Sequence, residues 1–209
     1  NDYGANIGQL LLLDDENPSL ETKCKARAAA GSDARMSGCP LPVVICSGSG
    51  NQGLTVSVPI ITTAEELGKS DDELYRALVF ANLLTLYVKS GIGKLSAYCG
   101  VVSAGVVSVA GIAFLKGDSK DIIENTLVNG HASLSGIVCD GAKPSCAGKI
   151  AISLDGAFMG YKQARLNKNY QKGDGLVAYS VDETIRSIGA VAQGMKETDV
   201  VILNEMLKH

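Results

Sequence analysis

The stretch LSAYCGVVSAGVVSVAGIAFL, residues 95–115, constrains the fold more than any other part of the chain. It is too long for one strand and is diluted by small residues, so its length favours a buried helix over a strand or a membrane span. A helix that is apolar on every side must be surrounded by protein, although two helices meeting here would give the same pattern. Small residues that let another backbone approach closely recur along it: Gly100, Ala104, Gly105, Ser108 and Gly111.

The composition agrees with an interior built from aliphatic side chains. Of the 209 residues, 46% are hydrophobic but only 5% are aromatic, and tryptophan is absent. This is enough apolar material for a packed core, and the length suits one domain. We therefore predict a mainly α fold over residues 1–209, with buried Gly/Ala-rich helices in a single bundle-like domain and little strand.

Capping signals place further helices on both sides of the central segment. Ser70 with Glu73 and Ser180 with Glu183 have the spacing of capping boxes, and Ser19 follows a proline at another helix start. The predicted helices cover residues 20–35, 71–90, 118–134, 146–166 and 181–207, the last as one helix or a pair. A short strand is predicted at 43–45 and a polar loop at 167–175.

Charge and chain ends exclude several classes of protein. The net charge is −3 and no dense cluster of Lys and Arg occurs, so we expect no nucleic-acid partner. No apolar run reaches the length of a membrane-spanning helix, so we expect no membrane partner. The chain opens NDYGANIGQLLLLDD, without a signal peptide and without Met. These features predict a cytoplasmic protein and a chain that is the C-terminal part of a longer one.

Gly48, Gly50 and Gly53 spell G-x-G-x-x-G, the pattern of a dinucleotide-binding turn. The residues that follow, 54–61, are β-branched with a proline among them and predict a poor helix, and no βαβ unit follows, so we reject that site. Exposed backbone N–H groups suit a single carboxylate instead, with a purely structural tight loop as the open alternative. The side chains predicted to bind that substrate carboxylate are Ser47, Ser49, Asn51 and Gln52.

Three of the six cysteines lie in segments that suit chemistry. Cys99 stands at a polar-to-apolar boundary, and Cys139 and Cys146 flank a turn. A helix beginning near residue 145 favours the thiolate form of a cysteine at its start. The spacing with His131 and His209 is not that of a zinc site, while ligation of an iron–sulfur cluster stays open. The remaining cysteines are interpreted as structural: Cys24, Cys39 and Cys46.

Four strings, GSGNQG, KLSAYCG, CDGAKPSCAGK and VDETIRSIGAVAQGMKETD, together resemble the serine dehydratase alpha-chain-like family of UPF0597 type, which includes the L-cysteine desulfidases. The resemblance covers nearly the whole chain and is to the C-terminal half of the family's members. It implies a lyase that carries an oxygen-sensitive [4Fe-4S] cluster and converts L-cysteine, or L-serine, to pyruvate and ammonia. It also implies the N-terminal half of the same chain as a partner, with a homodimer as one candidate assembly.

Residue by residue, the resemblance implies a ligand set for the cluster. Cys99 and Cys139 match two of the desulfidase ligands, and the third belongs to the N-terminal part of those proteins. Cys146 is the substitute within this chain. An open iron then acts as Lewis acid on the leaving group of the amino acid. The alternatives are a catalytically silent amino-acid-binding module and a pyridoxal-phosphate lyase, for which the early Ser-x-Lys setting is missing.

The elimination also needs a group that removes the Cα proton. Lys143 is the first candidate, either as base or as carboxylate ligand, and His131 is a candidate proton shuttle. Lys149 is a second cationic candidate, although a solvated role is open to it. Asp140 is expected to orient Lys143 or to cap the next turn. Asp155 lies in an apolar helix and is expected to meet a lysine or the site.

Overall fold

The computed structural model of the protein describes residues 3–208, and within that range helices are the only regular elements of more than two residues. This confirms the predicted mainly α class. The helices are α1 (Ile7–Leu10), α2 (Leu20–Met36), α3 (Gly50–Glu66), α4 (Asp71–Ile92), α5 (Gly100–Lys116), α6 (Lys120–Leu134), α7 (Cys146–Arg165), α8 (Val181–Gly194) and α9 (Lys196–Met206).

Helix α5 is the centre of the domain, as the small apolar residues of segment 95–115 predicted. Every residue from Gly100 to Ala113 is buried, and α3, α4, α6 and α7 pack around the helix. The glycines permit this close packing. A Cβ added at Gly105 would stand 3.0 Å from the Ser153 Cβ on α7, and one at Gly111 would stand 2.7 Å from the Ile60 side chain on α3.

Serine caps begin most of the helices. The hydroxyls of Ser19, Ser49, Ser70, Ser119 and Ser180 each accept a hydrogen bond from a backbone N–H in the first turn. The capping box predicted at Ser70 and Glu73 is complete. At Ser180 only half of it forms, because the Glu183 carboxylate accepts from the Tyr179 N–H.

The segment around the glycine loop departs from the prediction twice. Residues 43–45 form no strand, and Val44 and Ile45 are exposed. Residues 54–61, predicted to be a poor helix, lie within α3 with Pro59 inside it. Tertiary packing overrides the local preferences here, because Val56 and Ile60 are fully buried between α3 and its neighbours.

The remaining parts agree with the sequence pattern. Residues 167–175 form the polar loop between α7 and α8, and the C-terminal region is a pair of helices. None of the described helices combines the length and the apolar character that crossing a bilayer requires. Across residues 3–208 there are two isolated antiparallel pairings, between Cys46 and Ser49 and between Tyr98 and Val138, and both border the cavity described next.

Candidate functional site

A cavity of about 250 Å³ lies where five helix ends meet. The N-termini of α3, α5 and α7 and the C-terminal ends of α2 and α4 contribute to its wall. Helix N-termini carry unpaired N–H groups and a positive partial charge, so three of them favour an anion. The lining residues that carry the argument are Arg35, Gln52, Lys89, Cys99, Cys139 and Cys146.

A short backbone pairing brings Cys99 and Cys139 together although they are distant in the chain. The Cys99 N–H donates to the Ile137 carbonyl at 3.1 Å, and the Cys139 N–H donates to the Ala97 carbonyl at 2.7 Å. Cys99 is also the N-cap residue of α5, although its side chain makes no capping hydrogen bond. The two thiols therefore stand side by side at the cavity wall, held by main-chain hydrogen bonds.

The two thiols share a hydrogen bond and titrate as a pair. The hydrogen bond from Cys99 lowers the pKa of the Cys139 thiol, with help from a backbone N–H and from the charge of Lys149. The same hydrogen bond and burial raise the pKa of Cys99. One thiolate at this position is therefore favoured, and thiolate is the form that binds metal.

Cys146 lines the same cavity from the start of α7. Its sulfur lies 3.5 Å from the Gly141 carbonyl oxygen, to which the thiol donates, and 3.5 Å from the Lys143 backbone N–H, from which it accepts. The turn between Cys139 and Cys146 is thus folded onto the second cysteine. All three cysteines predicted as ligands border one space.

The glycine loop forms the opposite wall of the cavity. Ser47 and Gly48 are the central residues of a tight turn closed by two hydrogen bonds between Cys46 and Ser49, both 3.1 Å. Both central residues have positive φ, 47° and 84°, as a type I′ turn requires. The turn leads directly into α3, so the loop is a helix N-terminus without the preceding strand that a dinucleotide site needs.

The four predicted carboxylate-binding side chains differ in their positions. Ser49 lines the cavity, but its hydroxyl caps α3 by accepting from the Gln52 N–H at 3.4 Å. Asn51 also lines the cavity, with its amide oxygen accepting from Ser32 at 3.3 Å. Gln52 is 5% exposed, and its Oε1 has no hydrogen-bond partner among residues 3–208. Ser47 is not among the lining residues.

Three cationic side chains face the cavity: Arg35, Lys89 and Lys94. Within residues 3–208, no Asp or Glu lines the cavity and none of the three cations joins an ion pair. Lys89 is 4% exposed, and burial lowers the pKa of its amine. The cavity is therefore electropositive in a protein whose net charge is −3.

The two residues predicted to be catalytic lie outside the cavity wall. Lys143 is exposed on the turn, and it contacts Cys146 through its backbone: its N–H donates to the Cys146 sulfur and its carbonyl accepts from the Cys146 N–H. His131 is buried in α6, where its Nδ1–H donates to the Leu127 carbonyl at 2.9 Å. Burial lowers the pKa of His131 to about 4. The structure brings neither side chain to the three cysteines.

The two acidic candidates, Asp140 and Asp155, each form an ion pair with a lysine. Asp140, expected to orient Lys143 or to cap a turn, instead forms an ion pair with Lys149 beside the cavity. Asp155 pairs with Lys25 at 2.6 Å, as expected for a carboxylate in an apolar helix, but its side chain is 71% exposed. Of the cysteines interpreted as structural, Cys24 and Cys46 are buried and Cys39 is partly exposed.

The donor set at the cavity consists of three cysteines, the residue type that ligates iron–sulfur clusters. Among the residues described, no group of three His, Cys, Asp or Glu is arranged to hold one metal ion. Cluster ligands each bind a different iron, so their sulfurs need not converge on one point, and soft thiolates are the usual ligands. Cys99, Cys139 and Cys146 supply that chemistry on an electropositive wall that suits an anionic cluster.

Sequence reasoning missed Arg35 and Lys89. Each is a basic residue in the last turn of a helix, α2 and α4 respectively. Basic residues are favoured there by the helix dipole alone, so the pattern carried no signal of a site. Only the meeting of the helix ends makes them part of a cavity.

Comparison with known proteins agrees with this picture. The family model described as serine dehydratase alpha chain matches residues 1–204. A UPF0597 protein of Desulfitobacterium hafniense is 55% identical over 98% of this chain, and UPF0597 proteins of Finegoldia magna and Treponema denticola are 52% and 46% identical over 99% of it. The chain spans about half the length of these relatives, 48–49%. The chain therefore belongs to the serine dehydratase alpha chain family.

Proposed function

We propose that the cavity is the active site of an iron–sulfur lyase that eliminates the β-substituent of L-cysteine, with L-serine as second substrate. The observation that carries the proposal is the convergence of three cysteines and the loop at Ser49–Gln52 on one electropositive cavity. Its volume suits a small amino acid and not a dinucleotide. Membership of a family named for a lyase supports the same reaction class.

The reaction breaks the Cα–H and Cβ–S bonds of L-cysteine. The proton goes to a base and the sulfur leaves as hydrogen sulfide. The 2-aminoacrylate that remains tautomerises to an imine, which water hydrolyses to pyruvate and ammonia. A [4Fe-4S] cluster held by Cys99 and Cys139, with Cys146 or a cysteine from the remainder of the protein as third ligand, would supply a Lewis acid for the leaving thiolate.

The chain's own residues supply binding and proton transfer. The N-terminus of α3 and the neighbouring cations hold the carboxylate end of the substrate. Lys89 is our candidate for the proton acceptor, because it is buried at the cavity and interacts electrostatically with Cys139 and Cys99. Desolvation lowers its pKa and so raises the fraction of neutral amine that can accept a proton. We favour Lys89 over Lys143 and His131, which do not line the cavity.

Part of the site belongs to the rest of the protein in this proposal. The relatives are about twice as long as the chain that matches them, and the uncovered part is the candidate partner of this domain. It would supply the third ligand if Cys146 does not. Measurements of activity therefore belong on the full-length protein.

The decisive experiment is an absorption spectrum of the full-length protein purified without oxygen. We expect a broad brown visible band that bleaches in air, together with pyruvate formation from L-cysteine. A yellow band removed by hydroxylamine would identify a pyridoxal-phosphate lyase instead. A colourless protein without iron would leave only a silent amino-acid-binding module.

Single substitutions test the ligand assignment. Cys99→Ser and Cys139→Ser should each abolish iron binding, because each removes a thiolate from the paired wall of the cavity. Cys24→Ser is the matched control, since Cys24 is buried between α2 and α3, where its thiol donates to the Pro59 carbonyl at 3.4 Å. Equal iron content in the three variants would refute the assignment.

A further inference from the structure

We propose that Arg35 binds the α-carboxylate of the substrate, a role that rests on the amino-acid lyase function proposed above. Arg35 lies in the last turn of α2 and its side chain reaches the cavity wall formed by the N-terminus of α3. It is the cation that lies against the glycine loop, whereas Lys89 interacts with the cysteines on the other side.

The absence of a side chain at Gly50 makes room for this guanidinium. A Cβ built at Gly50 would stand 2.5 Å from the Arg35 Nε and 3.0 Å from its Cζ. The guanidinium therefore lies directly on the first residue of α3, at the positive end of that helix. A planar donor fork at a helix N-terminus matches the geometry and charge of a carboxylate.

One guanidinium nitrogen of Arg35 has no acceptor among the described residues. Its Nη1 is buried without a hydrogen-bond partner among residues 3–208, and Arg35 forms none of the ion pairs found there. A buried donor without an acceptor costs free energy unless a ligand satisfies it. Among residues 3–208 no acidic side chain lines the cavity, and we infer that the carboxylate of a ligand is the acceptor.

Gln52 gives independent evidence that a ligand belongs here. It is 5% exposed, it lines the cavity, and its Oε1 also lacks a partner among the described residues. Its amide lies over Gly100, where an added Cβ would stand 2.5 Å from Nε2. An amide oxygen accepts from an ammonium group, so Arg35 and Gln52 together match the carboxylate and the amine of an α-amino acid.

Binding of L-alanine and L-alaninamide to the full-length protein under anaerobic conditions, measured by calorimetry, tests the proposal without turnover, because neither ligand has a β leaving group. We expect the wild type to prefer the carboxylate over the amide by about 10- to 100-fold. Arg35→Gln should remove this preference, and Arg35→Lys should retain part of it. Arg76→Gln is the control, since Arg76 pairs with Asp72 on the exposed face of α4.

Gly50→Ala gives a second route to the same effect. The added methyl group displaces the guanidinium but fits a helix start, so the preference for L-alanine should fall while the melting temperature and the iron content stay unchanged. With L-cysteine as substrate, both variants should raise KM at least tenfold and change kcat less. If Arg35→Gln does not fold, Gly50→Ala still tests the role of Arg35.

The outcomes separate this proposal from the lyase function. If the wild type does not bind L-alanine, or if Arg35→Gln keeps the preference for the carboxylate, the role of Arg35 is overturned. An active brown enzyme with an unchanged KM in Arg35→Gln overturns the role of Arg35 alone. A colourless protein that binds L-alanine through Arg35 refutes the lyase and leaves the carboxylate site standing.

Discussion

Replacing Lys89 by methionine should make the protein more stable and less active. Lys89 is 4% exposed on α4, and within residues 3–208 its amine makes no hydrogen bond and no ion pair. Burial lowers its pKa, which shows that the loss of hydration outweighs the attraction of Cys139 and Cys99. Methionine has a similar length and flexibility and carries no charge to desolvate.

The expected gain in stability follows from the cost of an unpaired polar group. Measured on proteins, that cost is about 1–3 kcal/mol, and methionine keeps an unbranched apolar stem in place of the lysine stem. We therefore expect Lys89→Met to raise the free energy of unfolding of the cluster-free protein at pH 7 by about 1–3 kcal/mol. For a domain of this size, each kcal/mol corresponds to roughly 2–4 °C in melting temperature.

Activity should change in the opposite direction. A general base contributes about 10²- to 10⁴-fold to a rate, so kcat for pyruvate formation by the loaded enzyme should fall by at least about 100-fold. Urea denaturation followed by circular dichroism gives the stability, and Lys120→Met is the control, because that side chain is 84% exposed. A less stable Lys89→Met variant would show that the amine has a partner, and an active one would exclude Lys89 as the base.

Three further substitutions test the interior, the glycine loop and the first turn of α7. Because burial lowers the pKa of His131 from 6.5 to about 4, the folded state resists protonation, and stability present above pH 6.5 is lost as pH falls towards 4. Relative to wild type, His131→Gln should flatten the stability profile by about 3 kcal/mol over this range, measured by denaturation at each pH, and equal slopes would contradict a buried neutral imidazole. Gly53→Ala should lower the free energy of unfolding by at least about 2 kcal/mol, because the new methyl group would overlap the Val44 carbonyl oxygen. Gly148→Ala in α7 has no neighbour within 4 Å and should instead be neutral or stabilising by up to about 1 kcal/mol in the same melt.

The helices could be predicted where local and tertiary forces agree. The apolar, small-residue segment that became α5 leaves no alternative to burial, and the hydroxyls of Ser19 and Ser70 mark helix starts that the structure contains. The prediction for residues 54–61 was wrong because local preference and tertiary packing oppose each other there. β-branched residues and Pro59 disfavour a helix locally, but the cap at Ser49 and the burial of Val56 outweigh them.

The site was only partly predictable because its residues meet through long-range packing. Cys99 and Cys139 were recognisable from their motifs, but the backbone pairing of Tyr98 with Val138 that joins them leaves no local trace. The helix dipole alone favours a basic residue such as Arg35 in the last turn of a helix. The sequence around Arg35 therefore gave no indication of a ligand. Conversely, Lys143 stood between two cysteines in the sequence, and its turn directs the side chain to solvent.

The glycine pattern shows how the same letters arise from different physical requirements. In a dinucleotide site the glycines serve a tight turn, the approach of a pyrophosphate and helix–strand packing. Here Gly48 has a φ of 84° in the turn, Gly50 leaves room for the Arg35 guanidinium, and Gly53 lies under the Val44 carbonyl. All three requirements arise within this chain, and none involves a ligand's phosphate. The pattern therefore serves the cavity indirectly, because Gly50 admits the cation that we propose binds the substrate.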